Sequence, residues 1–203
     1  MDTQERNDTY MTLKAPSEGL YKEKGSKFLA FAYPVASEEE IKQHLERIRK
    51  EYYDARHHCY AYRLGLEGNV WRANDDGEPS STAGRPIYGQ ILSHELSDVL
   101  IVVVRYFGGI KLGVPGLINA YRSAAADAIE HGRIVEKVAS EPFAVTFGYS
   151  VTDKVMRIIK DMGTSPGRYT ADNVCRIEME VRLKDIKRFT QRMEEAGATV
   201  EHL

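Results

Sequence analysis

The stretch VLIVVVRYFGGIKLGVPGL, residues 99–117, decides the architecture: six apolar residues in a row give way to an arginine, two aromatics and a glycine-rich run. An unbroken, mostly β-branched run without alternation reads as a strand buried on both faces. It requires a central sheet with a covering layer on each side. Gly108, Gly109, Gly113, Pro115 and Gly116 then read as a turn that opens a helix. That helix is expected from Leu117 to Ile129, where alanines allow close approach to the sheet, with Gly132 as its stop. The apolar run is far shorter than the ~20 residues that span a bilayer.

Upstream, after a polar N-terminal tail, FLAFAYPV (28–35) reads as a strand, and HHCYAYRL (57–64) as another that ends in a turn at Gly65 and Gly68. Between them Ser37 and Glu40 have capping-box spacing, and Ile41, Leu45, Ile48 and Tyr52 form one helical stripe. A polar loop, NDDGEPSSTAGRP (74–86), follows, with Pro86 in the first turn of a short helix through Ile91 and Leu92.

Downstream of Ala139, FAVTFGYS (143–150) alternates as a strand, Asp153 is placed to cap a helix carrying Val155, Ile158, Ile159 and Met162, and Gly163 ends it. Cys175, Ile177, Met179, Val181 and Leu183 alternate with Arg176, Glu178, Glu180 and Arg182, the pattern of a strand with one wet face. A short strand near Tyr169, a helix with Ile186, Phe189 and Met193, and a last strand in ATVEHL complete the order βαββαβ, which is ferredoxin-like. The chain therefore reads as an α+β protein of two closely joined halves, residues 1–138 and 139–203, without internal repeats.

With 203 residues and 42% hydrophobic content, the chain can bury a core. Its 28 basic residues against 30 acidic ones, with neither half markedly basic, supply no global field toward nucleic acid or anionic lipid. Any such affinity needs a local patch. The opening MDTQERNDTY lacks the apolar core of a signal peptide, so a soluble cytoplasmic protein without membrane contact is expected. Cys59 and Cys175 stand far apart and outside C-x-x-C spacing, which fits reduced thiols; neither metal nor cofactor is expected from them.

Three segments carry chemistry. In the polar loop, Asp75, Asp76 and Glu78 are hard oxygen ligands for a cation such as magnesium, or supply a general base. The plainer reading is a solvated turn, since Asp-Gly and Glu-Pro form turns and the Ser80, Ser81 and Thr82 hydroxyls suit capping of the next helix. In DARHHC (54–59), His57 and Cys59 would share one strand face about 6.6 Å apart along the chain, with His58 pointing the other way. That is too few ligands for zinc, whereas Arg56 and the histidines suit a phosphate or a partner's carboxylates. In residues 102–117, a strand, a glycine turn and a helix present backbone amides, and Arg105 and Lys111 add positive charge. The glycines match neither G-x-G-x-x-G nor a P-loop, which needs lysine where Val114 stands.

Taken in order, GSKF (25–28), DARHHC, DDGEP followed by TAG and a proline, and VVVRYFGG before an alanine-rich helix resemble the YigZ/IMPACT family over most of residues 25–125. The resemblance implies an N-terminal α/β sandwich with the fold of ribosomal protein S5 domain 2, followed by a ferredoxin-like domain. The same pair of folds occurs in the last two domains of elongation factor G. It therefore implies contact with RNA, the ribosome or a translation-associated partner. Eukaryotic relatives regulate translation by binding an activator of the starvation-responsive initiation-factor kinase, a partner that does not transfer to a chain whose second half is of the bacterial type. Carried onto this sequence, the family segments imply a binding site of Arg56, His57, His58, Asp75, Asp76, Glu78, Thr82, Arg105 and Tyr106, to which the charge of the glycine-rich segment adds Lys111. Ser81 stands where glycine is usual, and Pro115 replaces a glycine and removes an amide donor.

Two functions of different class follow. One is a non-enzymatic, translation-linked binding protein whose N-terminal loops recognise RNA or a ribosomal partner, with Arg176 and Arg182 adding contacts. The other is an enzyme for a small or phosphorylated substrate, with a loop carboxylate as base or ligand, His57 or His58 as acid–base group, and Arg105 on the anion.

Overall fold

In the computed structural model, which describes residues 8–203, the chain divides into two compact units. One is Tyr10–Lys137; the other is Val138–Leu203 together with Asp8 and Thr9. Residues 1–7 of the expected polar tail lie outside the described residues.

The first unit contains β1 (Thr9–Leu13), β2 (Ser17–Glu23), β3 (Ser26–Pro34), α1 (Glu38–Glu51), β4 (His57–Leu64), β5 (Val70–Asn74), α2 (Gly84–Ser93), β6 (Val99–Tyr106), α3 (Gly113–Glu130) and β7 (Ile134–Val138). Strands β2 to β6 form one antiparallel sheet in the order β2-β3-β6-β4-β5, while β1 pairs with β7. Every residue from Val99 to Val104 is fully buried, because β6 lies at the centre. Val99, Ile101 and Val103 pack with Ile87 and Ile91 of α2 and Leu117, Tyr121 and Ala124 of α3. Leu100, Val102 and Val104 pack with Ile41, Leu45 and Ile48 of α1. An antiparallel strand usually keeps one wet face; here two helical layers remove it, and each large apolar side chain so buried is worth about 1.5–3 kcal/mol.

Helix α1 starts where its cap is expected: the Glu40 amide donates to Ser37 Oγ (3.3 Å), and the Glu40 carboxylate accepts from the Ala36 amide (2.8 Å). Helix α3 begins at Gly113 rather than Leu117, which places Pro115 in the first turn, where a missing amide hydrogen costs nothing. Strands β2 and β5 lie where the sequence pattern reads as tail and loop. Both are edge strands whose exposed residues leave little apolar alternation.

The second unit runs β8 (Ser140–Phe147), α4 (Thr152–Asp161), β9 (Pro166–Ala171), β10 (Cys175–Arg182), α5 (Ile186–Glu195) and β11 (Thr199–His202), with strand order β11-β8-β10-β9. This is the βαββαβ ferredoxin-like arrangement, so the chain has the α+β fold that the resemblance implies. Cys175, Ile177, Met179 and Val181 of β10 face Val155, Ile158, Phe189 and Met193 of the two helices. Asp153 lies in the first turn of α4 and does not cap it. A short 3-10 turn, Tyr149–Val151, leads into the helix, and the Thr152 hydroxyl donates to the Tyr149 carbonyl (2.9 Å). Leu183 leaves the strand in a second 3-10 turn.

The basic contacts expected of this unit are answered locally. Arg176 pairs with Glu201 (3.1 Å), and Arg182 makes two 2.9 Å bonds to Asp8. That guanidinium holds the Asp8 carboxyl below its usual range, against an opposing push from burial. No helix among the described residues is long and apolar enough to cross a membrane.

Candidate functional site

Strand alternation divides DARHHC between the two faces of the sheet. His57 stands opposite Arg105 in the register and turns toward α3. Its Nδ1 lies 2.8 Å from the Asp76 carbonyl, which only accepts, so Nδ1 carries the proton and Nε2 faces Glu78 Oε1 at 4.0 Å. The Glu78 side chain is 3% exposed, and Oε1 accepts from Arg105 (2.6 Å) and the Tyr121 hydroxyl (2.8 Å). Burial first, then Cys59 and Glu78, push the Tyr121 phenol well above its ordinary pKa. Arg105 also lies over the rings of Phe28 (5.5 Å) and Phe107 (5.6 Å).

This buried group floors a cavity of about 700 Å³. Arg56, His57, Glu78, Arg105, Tyr106 and Lys111 line it, and the first turn of α3 closes one side with Gly113, Val114 and Leu117. Tyr106 donates to Asp54 (2.7 Å), and that bond to a carboxylate, aided by burial, pushes its phenol up to about 12. Arg56 and Lys111 are exposed and have no carboxylate partner among the described residues. Phe107 and Val114 are also more than half exposed at the cavity, as is Ile110 in the same loop.

The other expected site residues belong to the scaffold. Asp75 Oδ1 accepts from the amides of Ala83 (3.0 Å) and Gly84 (2.8 Å), and Oδ2 accepts from Ser81 (2.8 Å). Asp75 thus caps α2 from a distance, the task expected of the nearby hydroxyls. Thr82 is buried instead and donates to the Pro79 carbonyl (2.6 Å). The Asp76 carboxylate accepts from the His58 amide (2.6 Å) and lies 3.6 Å from Arg49. His58 turns under α1, with Nε2 at 3.0 Å from the Tyr52 carbonyl. The three loop carboxylates therefore point apart, and among the described residues no three His, Cys, Asp or Glu side chains are grouped to hold a metal ion. The Cys59 thiol is buried and donates to the Asp75 carbonyl (3.0 Å), and burial pushes its pKa up.

Two backbone features account for residue types singled out in the sequence. A Cβ on Gly108 would stand 1.9 Å from the Gly25 carbonyl carbon, so GSKF and YFGG meet backbone to backbone. Ser81 has φ 64°, a left-handed conformation in which glycine is unstrained. The apolar wall of the cavity, Phe107, Leu112, Val114 and Leu117, escapes the sequence reading, although Phe107 follows directly on Arg105 and Tyr106.

Fold and cavity together define a two-unit α+β protein in which a polar loop supports a pocket lined by charged side chains of both signs and by Tyr106 and Phe107. The Impact N-terminal domain model matches residues 24–129. The IMPACT family member YvyE of Bacillus subtilis is 34% identical over 153 residues, covering 75% of this chain and 70% of that protein. An IMPACT family member of Thermus thermophilus is 48% identical over 104 residues, covering 51% of this chain and 55% of that protein. The chain belongs to the IMPACT family. The crystal structure of a hypothetical protein shares the fold, with a TM-score of 0.73 at 23% identity, covering 97% of this chain and 98% of that one.

Proposed function

We propose that the chain is a non-enzymatic, translation-linked binding protein that recognises RNA, free or within the ribosome, through the cavity of its first unit. One observation carries this reading: Arg56 and Lys111, unmatched by carboxylates among the described residues, border a cavity walled by Tyr106 and Phe107. Cations of this kind take charge-assisted bonds to phosphate, and aromatic rings stack on unpaired bases whatever their identity. Local placement of the cations makes a near-neutral total charge compatible with RNA binding. The engagement of both Asp75 oxygens by three backbone amides, and of Glu78 Oε1 by Arg105 and Tyr121, supports binding over catalysis.

The test is the salt dependence of binding to labelled single-stranded RNA and to purified ribosomes. Log affinity should fall linearly with log salt, by roughly 0.7 per phosphate neutralised on a single strand. Arg56→Ala and Lys111→Ala should each make the slope shallower by about that amount while leaving the melting temperature unchanged. Failure of both RNA and ribosomes to bind at low salt overturns the reading. A thermal shift with Mg²⁺, Mn²⁺, Zn²⁺ or a nucleotide instead, worth about 2.7 kcal/mol at a hundredfold excess over Kd, would support the enzyme.

A further inference from the structure

Edge strand β5 carries the single tryptophan of the chain, Trp71, opposite Arg63 of β4. The indole lies on the ring of Tyr88, with centroids 4.6 Å apart and planes within 19°. The Arg85 guanidinium stands 5.7 Å from the indole centre. Arg85 and Tyr88 are three residues apart on α2, so the helix offers both to the same ring. With one face on Tyr88 and 44% of the residue exposed, much of the indole remains open to solvent. Leu92, one turn beyond Tyr88, is 46% exposed and extends the apolar surface.

The side chains that α2 and β4 bring to this surface include two guanidinium groups, those of Arg85 and Arg63. Helix α2 contains no acidic residue, and Arg85 has no carboxylate partner among the described residues. Arg63 is held by the carbonyls of Leu96 (3.0 Å) and Glu67 (3.4 Å), dipoles that fix the guanidinium without cancelling its charge. The core does not need the indole, because Ile87 and Ile91 already close α2 onto the sheet.

We propose that Trp71, Tyr88 and Arg85 form a stacking platform for an unpaired nucleobase of single-stranded RNA, with Arg85 on the adjoining phosphate. A flat ring with a flanking guanidinium matches the two parts of a nucleotide, a π-face and an anion. The platform is separate from the cavity: His57 begins β4 and Arg63 stands six residues further on, about 20 Å along the strand. It shares with the cavity reading only the class of partner, and it fails or stands by different residues.

Because Trp71 is the only tryptophan, its emission reports on this surface alone. Titration of the intact chain with a short unstructured RNA should quench that emission to saturation. The same strand in a duplex, and inorganic polyphosphate, should leave it unchanged. Trp71→Ala should weaken binding of the dye-labelled strand about tenfold, Trp71→Phe less, and Arg85→Ala should make the salt slope shallower by roughly 0.7. Quenching that persists in an Arg56→Ala, Lys111→Ala variant keeps the platform even where the cavity reading has failed. Unchanged emission at saturating RNA overturns the platform, as does equal quenching by polyphosphate. A change in emission with protein concentration alone also overturns it, since a second copy of the chain would then be the occupant.

Discussion

His57 and His58 are adjacent in the chain and serve opposite sides of one sheet. His57 faces the cavity, oriented by the Asp76 carbonyl, while His58 sits under α1 against the Tyr52 carbonyl. The same division runs through the loop that crosses them, where Asp75 and Asp76 hold backbone amides and Glu78 reaches the cavity floor. A motif that reads as one polar cluster is thus shared between a cavity lining and the frame behind it. Residue type does not distinguish the two; the face of the strand and the direction of the loop do.

The sharpest way to break this contrast is Glu78→Ala, which leaves the Arg105 charge buried without its partner. A loss of about 3–5 kcal/mol in urea denaturation is expected; a loss near zero would mean that the floor is hydrated. Asp75→Ala strands three amides and should cost about 2–3 kcal/mol, with hydrogen exchange accelerated at the start of α2 and the RNA salt slope unchanged. His58→Ala should cost about 1 kcal/mol without altering RNA affinity, whereas His57→Ala should weaken RNA binding more than it lowers the melting temperature. Equal behaviour of the two histidines in both assays would erase the distinction. The smallest effect is expected from Ser81→Gly, which relieves the left-handed backbone at φ 64° and should add about 0.5 kcal/mol of stability.

Much of the fold is legible in the residues. The unbroken Val99–Val104 run announces two covering layers, Ser37 marks the start of α1, and the alternation from Cys175 to Val181 fixes the wet and dry faces of β10. Strand β5 is not legible, because an edge strand pairs on one side only and its first three residues are exposed. The Trp71 platform is hidden for the same reason, since it exists only once β5 lies beside α2. The site is legible in its segments but not in its division. Asp76 at φ 41° and Gly77 at φ 85° reverse the loop so that Glu78 swings inward while Asp75 and Asp76 stay with the frame. Side-chain chemistry does not encode that reversal, apart from the glycine that permits it.

The Arg105–Glu78 pair makes the deepest part of the cavity close to electrically silent, for each charge there is cancelled within 2.6 Å. On the proposed reading, preference for anions is set at the entrance by Arg56 and Lys111, both exposed and without a carboxylate partner among the described residues. That reading separates ligand preference from folding stability, so substitutions at the entrance should change binding and leave the melting temperature unchanged.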